Sequence, residues 1–155
     1  MIPISLRAAT FAEALLVAPA AMADGSHDHA NPVHGAPGDA VAVDRTVEVV
    51  MGDSYYQPNA IRVKAGETIR FEIRNAGTLV HEFAIGTASM HAAHQAEMMK
   101  MAESGALLAD RIDMKAMHDA MGGGMHDDPN SLLLEPGQSG TILWTFPEEA
   151  TVVLE

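Results

Sequence analysis

Tyr55 to Gly86 reads "YYQPNAIRVKAGETIRFEIRNAGTLVHEFAIG", and the pattern inside it decides the fold class. In "TIRFEIRN", Ile69, Phe71 and Ile73 alternate with Arg70, Glu72 and Arg74. Successive side chains of a strand point to opposite faces, so this alternation predicts a strand with one buried and one wet face. "AIRVKAGE" before it and "TLVHEFAI" after it also read as strands, and Pro58, Asn59 and Gly66 supply the turn chemistry. In the last of these, Leu79, His81, Phe83 and Ile85 share one face, and Val80, Glu82 and Ala84 the other. His81 therefore stands with Phe83 and Ile85. A half-buried imidazole needs a partner for each ring nitrogen. A metal on one and a backbone carbonyl on the other would satisfy it.

Strand signals continue on both sides. Upstream, "RTVEVVM" from Arg45 alternates and is rich in valine. Downstream come "SLLLEPGQSG", with a turn at Pro136-Gly137, then "TILWTF" and "ATVVLE". Short strands at this spacing predict a β-sandwich. The sequence ends inside the apolar run "ATVVLE", so the expectation is a sandwich with an unpaired edge.

Between the two strand groups the period changes. Ala88 to about Ser104 holds good helix formers with no Gly or Pro, and Ser89 is placed to cap it. His91, His94, Met98 and Met101 fall on one helical face. Gly105 breaks the pattern, and Ala106 to Met121 reads as a second helix with Met114, Met117, His118 and Met121 along one face. Met125 and His126 extend this run into the glycine-rich stop that follows. Thioether and imidazole together select Cu(I) over hard cations. The competing reading is that the methionines pack a helical hairpin, since Met fills irregular gaps. The sequence leaves both open.

The N-terminus has the layout of a secretory signal. Arg7 supplies a positive charge, "AATFAEALLVAPA" is mostly apolar and small, and "AMA" at Ala21–Ala23 offers a cleavage site. Residues 1–23 are therefore expected to be a signal peptide and the mature protein periplasmic. No other stretch is long and apolar enough to span a membrane. Asp24 to Asp44 reads as a polar tail carrying His27, His29 and His34, either a solvated linker or a loose metal-capturing segment.

Composition narrows the function further. The chain has 155 residues, which fits one domain. Its formal net charge of −12 argues against nucleic acid as a partner, because phosphate binding needs a basic face. Cysteine is absent while methionine numbers 11, so disulfides, thiolate metal sites and cysteine nucleophiles are excluded within these residues. Nucleophile-elbow, zincin, P-loop and dinucleotide motifs are missing, and the carboxylates form no pair suited to acid–base work. The reading is a non-enzyme.

From Arg45 to Glu155 the chain resembles the cupredoxins, most of all the plastocyanin-like periplasmic cuproproteins linked to copper resistance. The resemblance rests on Pro58, Ile61, Val63, Gly66-Glu67-Thr68-Ile69, Phe71, Asn75, Gly77 and His81-Glu82-Phe83, on the Met/His-rich insertion and on "LEPGQSGTILWTF". It implies an all-β, Greek-key sandwich with a helical insertion at about 88–121. It implies copper as the cofactor, His81 as the first copper ligand, and a periplasmic redox or copper-handling protein as partner. The family's remaining ligands, a cysteine, a second histidine and usually a methionine, lie in a loop that would begin just after "ATVVLE". On this resemblance the chain lacks the last strand, and its type 1 site is incomplete. Two other functions stay open: a redox-inert Cu(I) or Ag(I) chaperone using the Met/His helices, and an interaction module without metal.

Overall fold

Strand β5 (Thr68–Asn75) organises the molecule. It runs parallel to β2 (Arg45–Gly52) and antiparallel to β8 (Ser139–Thr145). The computed structural model describes residues 34–121 and 128–154. The other elements are β1 (Ala36–Pro37), β3 (Tyr55–Gln57), β4 (Ala60–Val63), β6 (His81–Ala84), α1 (Ala88–Glu103), α2 (Met114–Met121), β7 (Ser131–Leu134) and β9 (Ala150–Val153). One sheet has the order β1-β8-β5-β2-β3; β4 pairs with β9, and β6 with β7, in two further ribbons.

The alternation read from "TIRFEIRN" is realised directly. Ile69, Phe71 and Ile73 are buried, while Glu72 and Arg74 are exposed and Arg70 is half-buried. The inward faces of the three sheets meet in one core that includes Val49, Met51, Ile61, Val63, Phe83, Ile85, Ile142, Trp144 and Phe146. Phe71 stands at its centre against Phe83 and Phe146, with ring centroids 5.5 and 6.2 Å apart. Such aromatic pairs add to the burial energy that dominates a small sandwich. Among the described residues, β6 pairs with β7 and β9 with β4, and a groove of about 770 Å³ runs between β6 and β9.

Three local expectations are corrected. The polar tail expected to reach Asp44 is docked from His34 onward: β1 pairs with β8, and Trp144 Nε1 donates to the His34 carbonyl at 2.8 Å. The Trp144 indole is buried and its N–H needs an acceptor, which the incoming chain supplies. The cap of α1 is Thr87 rather than Ser89, its hydroxyl accepting from the Met90 amide at 3.3 Å. The second helix starts at Met114, not Ala106. Gly105 ends α1 with a positive φ of 75°, a conformation that favours glycine. Residues 106–113 then form a loop closed by a Leu107–Ile112 bridge. Asp113 starts α2 by accepting from the Lys115 and Ala116 amides, each at 3.0 Å.

Candidate metal centre

His81 opens β6, and the five residues before it, 76–80, form a loop bolted from below. Asn75 is fully buried. Its amide donates to the Leu79 carbonyl at 2.7 Å and the Leu134 carbonyl at 2.8 Å, and its oxygen accepts from the Gly77 amide at 2.9 Å. One side chain thus ties the loop to itself and to β7. A buried amide with all these partners defines a single loop conformation.

Asp53, in the turn between β2 and β3, holds the same loop from the side. Its Oδ1 accepts from the amides of Thr78 at 2.8 Å and Leu79 at 3.1 Å, and Oδ2 accepts from the Thr78 hydroxyl at 2.8 Å. His81 Nε2 lies 3.0 Å from Oδ1. The Thr78 hydroxyl and then His81 hold the Asp53 carboxyl well below the usual carboxylate range. Gly77 makes the approach possible: a Cβ there would overlap Asp53 Oδ1 and come within 3.0 Å of His81 Nε2. The expected backbone carbonyl on the second imidazole nitrogen is replaced by this carboxylate. His81 Nδ1 has no hydrogen-bond partner among the described residues.

His94 on α1 is placed differently. Its Nε2 meets the Glu82 carboxylate at 3.0 Å and its Nδ1 meets Glu97 at 3.3 Å. Both ring nitrogens are therefore engaged, and the pair with Glu82 pins α1 to β6. Tyr56 steadies the same strand, its hydroxyl donating to the Glu82 carbonyl at 3.0 Å.

The methionine stripes separate by burial. Met101 and Met117 are buried and, with Ala106, form a small second core; Met98 packs against it, half-buried. Met114 is 54% exposed, and His91 and His118 are exposed as well. The structure thus brings Met98, Met101 and Met117 together and leaves Met114, His118 and His91 at the surface. The Met121 side chain, Met125, His126, His27 and His29 lie outside the described residues. Among the described residues, no three His, Asp or Glu side chains converge as a metal-binding group. A thiolate copper centre does not fit them, because no cysteine is present. In His81 one ring nitrogen is held by Asp53 and the other is unengaged among the described residues.

Neither Asp53 nor the structural role of Asn75 is visible in the sequence pattern. His34, read as part of a polar tail, is instead packed into the fold. That imidazole is buried, stacks on Trp144 at 5.6 Å and is held below its ordinary pKa by burial.

The family model of the cupredoxin-like domain matches residues 14–103, more than half of the chain. The copper-resistant cuproprotein CopI of Pseudomonas aeruginosa strain PAO1 is 47% identical over 137 residues, covering 79% of this chain and 75% of that protein. The copper-resistant cuproprotein CopI of Rubrivivax gelatinosus is 37% identical over 153 residues, covering 91% of this chain and 81% of its own length. A solved structure of auracyanin B superimposes with a TM-score of 0.48 at 17% identity, over 78% of this chain and 96% of that one.

Proposed function

The chain belongs to the cupredoxin-like family and to its copper-resistance cuproproteins, and from that premise we propose that it is a periplasmic copper-binding protein serving copper tolerance. Residues 1–23 act as its export signal, and the cupredoxin-like domain follows the tail, with the helical insertion at about 88–121. Copper is the bound metal and His81 its anchoring ligand. The observation that carries this is the state of the His81 ring. Nε2 is held by Asp53, and Nδ1 is unengaged among the described residues. A metal-ligating histidine commonly has its other nitrogen held in this way.

Copper, when bound, supplies a redox-active soft cation. The residues themselves orient the imidazole and shield one of its nitrogens. Electron transfer to a periplasmic partner is the family's other role, and it needs the thiolate that these residues lack. The test is a Cu(II) titration of the full chain against a competing chelator. His81→Ala weakens binding in this reading; unchanged affinity sinks it. A thiolate-to-copper absorption band is expected to be absent.

A second reading has its own observation. Met98, Met101 and Met117 pack together in the small core between the helices. Thioethers gathered there form a soft-donor set for Cu(I) or Ag(I), with His91, His94, Met114, His118 and Met121 as outlying candidates. Cu(I) titration against a chromophoric competitor tests it. Loss of affinity in the double variant Met98→Leu with Met101→Leu supports capture, and none supports packing.

A further inference from the structure

Asp53 accepts four donors with one carboxylate, and three of them come from the loop that carries His81 and from that loop's own hydroxyl. The fourth is His81 Nε2, at 3.0 Å. We propose that Asp53 is a positioning residue that selects the Nε2–H tautomer of His81 and so assigns Nδ1 as its cation-binding nitrogen. Resting on the copper reading above, this makes a carboxylate–imidazole–metal relay in which the carboxylate never touches the metal.

The chemistry follows from the inventory of donors and acceptors. An ionised carboxylate only accepts, so the ring nitrogen facing it carries the hydrogen. The same ring then has its lone pair on Nδ1. The loop leaves little freedom for the reverse arrangement. The Asn75 amide fixes Leu79 and Gly77, and Asp53 fixes Thr78 and Leu79. His81 enters β6 directly after this segment, where its backbone is paired with Leu134. Gly77 completes the device, because any side chain there would stand between Asp53 and the ring. A carboxylate so placed also holds the plane of the ring.

Two other roles for Asp53 account for the same contacts less well. Asp53 as a pure loop cap explains the bonds to Thr78 and Leu79 but gives no reason for Oδ1 to take a third donor from the imidazole. Asp53 as a direct metal ligand would leave only Oδ2 to bind, since Oδ1 already takes three donors and Oδ2 one.

The tautomer is read in the metal-free full chain by long-range proton–nitrogen NMR of the imidazoles at about pH 8, above the ordinary imidazole range. The His81 signal is identified by its loss in His81→Ala. The wild type is expected to show Nε2–H. Asp53→Asn keeps an acceptor for the loop amides and should shift the ring partly towards a mixture. Asp53→Ala should shift it further. Gly77→Ala leaves both side chains in place but forces them apart, and should give the same mixture. Intact amide protection in β5 and β8 shows which variants are folded. In parallel, Cu(II) affinity should fall about 10-fold or more in Asp53→Ala. A wild-type His81 in the Nδ1–H form overturns the assignment. So does a folded Asp53→Ala or Gly77→Ala variant that retains the wild-type tautomer. Should His81→Ala leave Cu(II) affinity unchanged, the copper reading fails, while the metal-free tautomer still decides the role of Asp53.

Discussion

The end of the sandwich that carries His81 and the helical insertion that carries the methionines both looked like ligand sites, yet they are built in opposite ways. At the sandwich end, polar groups do the fixing. Asn75 and Asp53 spend most of their side-chain bonds on one short loop, and the histidine that follows it keeps one nitrogen unengaged among the described residues. In the insertion, apolar packing does the fixing. Met101 and Met117 lie inward, and His94, which meets Glu82 of β6, has both nitrogens against carboxylates. His81 thus keeps a nitrogen available in the first region, whereas Met101, Met117 and His94 are committed to structure in the second. The difference also predicts which region tolerates change. The sandwich end depends on specific hydrogen bonds, whereas the insertion depends on volume.

Core truncation gives the largest expected effects and the sharpest contrast. Phe71→Ala removes the ring that meets Phe83 and Phe146, and should cost about 4 kcal/mol of global stability in urea unfolding. Met101→Ala should cost about 3 kcal/mol, but its effect should appear as loss of hydrogen-exchange protection in α1 and α2, with β5 and β8 still protected. A global loss equal to that of Phe71→Ala would show that the two cores form one cooperative unit. Asn75→Ala strands the Gly77 amide and two carbonyls, and should cost about 2 kcal/mol, with line broadening confined to residues 76–81. Met101→Leu, by contrast, keeps the volume and should cost less than about 1.5 kcal/mol. A Met101→Leu penalty larger than that of Asn75→Ala would reverse the ranking of polar and apolar fixation in these two regions.

The sandwich was legible because burial on one face of a strand leaves a period-two trace, which "TIRFEIRN" shows for Ile69, Phe71 and Ile73. His81 was legible as the odd polar residue in such a face. Its carboxylate partner was not. Asp53 lies 28 positions away, and no periodicity relates a turn residue to a strand it meets only in three dimensions. The methionine stripes were half legible. Helical spacing put Met98 and Met101 on one face, and they do lie together, but spacing cannot say that Met117 turns inward while Met114 and His118 face water. The start of α2 was misread because residues 106–113 have apolar content compatible with a helix, whereas Gly105 and the Asp113 cap decide the boundary. The docking of His34 was hidden for a similar reason. A short segment held by one indole hydrogen bond and a two-residue pairing leaves no pattern.

The smallest effect separates the regions by pH rather than by packing. Glu67, buried, accepts from Arg45 Nε at 2.7 Å and from the Lys64 amide at 2.9 Å. The Arg45 hydrogen bond, more than the Lys64 amide, holds the Glu67 carboxyl below its ordinary value. A carboxylate lowered in the folded state stabilises the fold above its unfolded pKa, about 4.3, and that contribution is lost as pH falls through the lower folded value. The guanidinium of Arg45 is partly open to water, so the clasp should contribute only about 1 kcal/mol. Glu67→Gln should therefore lower the urea midpoint near neutral pH and converge on the wild type in acid below about pH 4. The difference should be read from the sandwich amides of β2 and β5, which the clasp joins to the β4 end, while protection in α1 stays unchanged. A pH-independent difference would mean that the Glu67 charge is irrelevant and its shape matters. Loss of α1 protection in the same variant would mean that the insertion draws its stability from the sandwich edge, and the contrast between the two regions would then be one of degree.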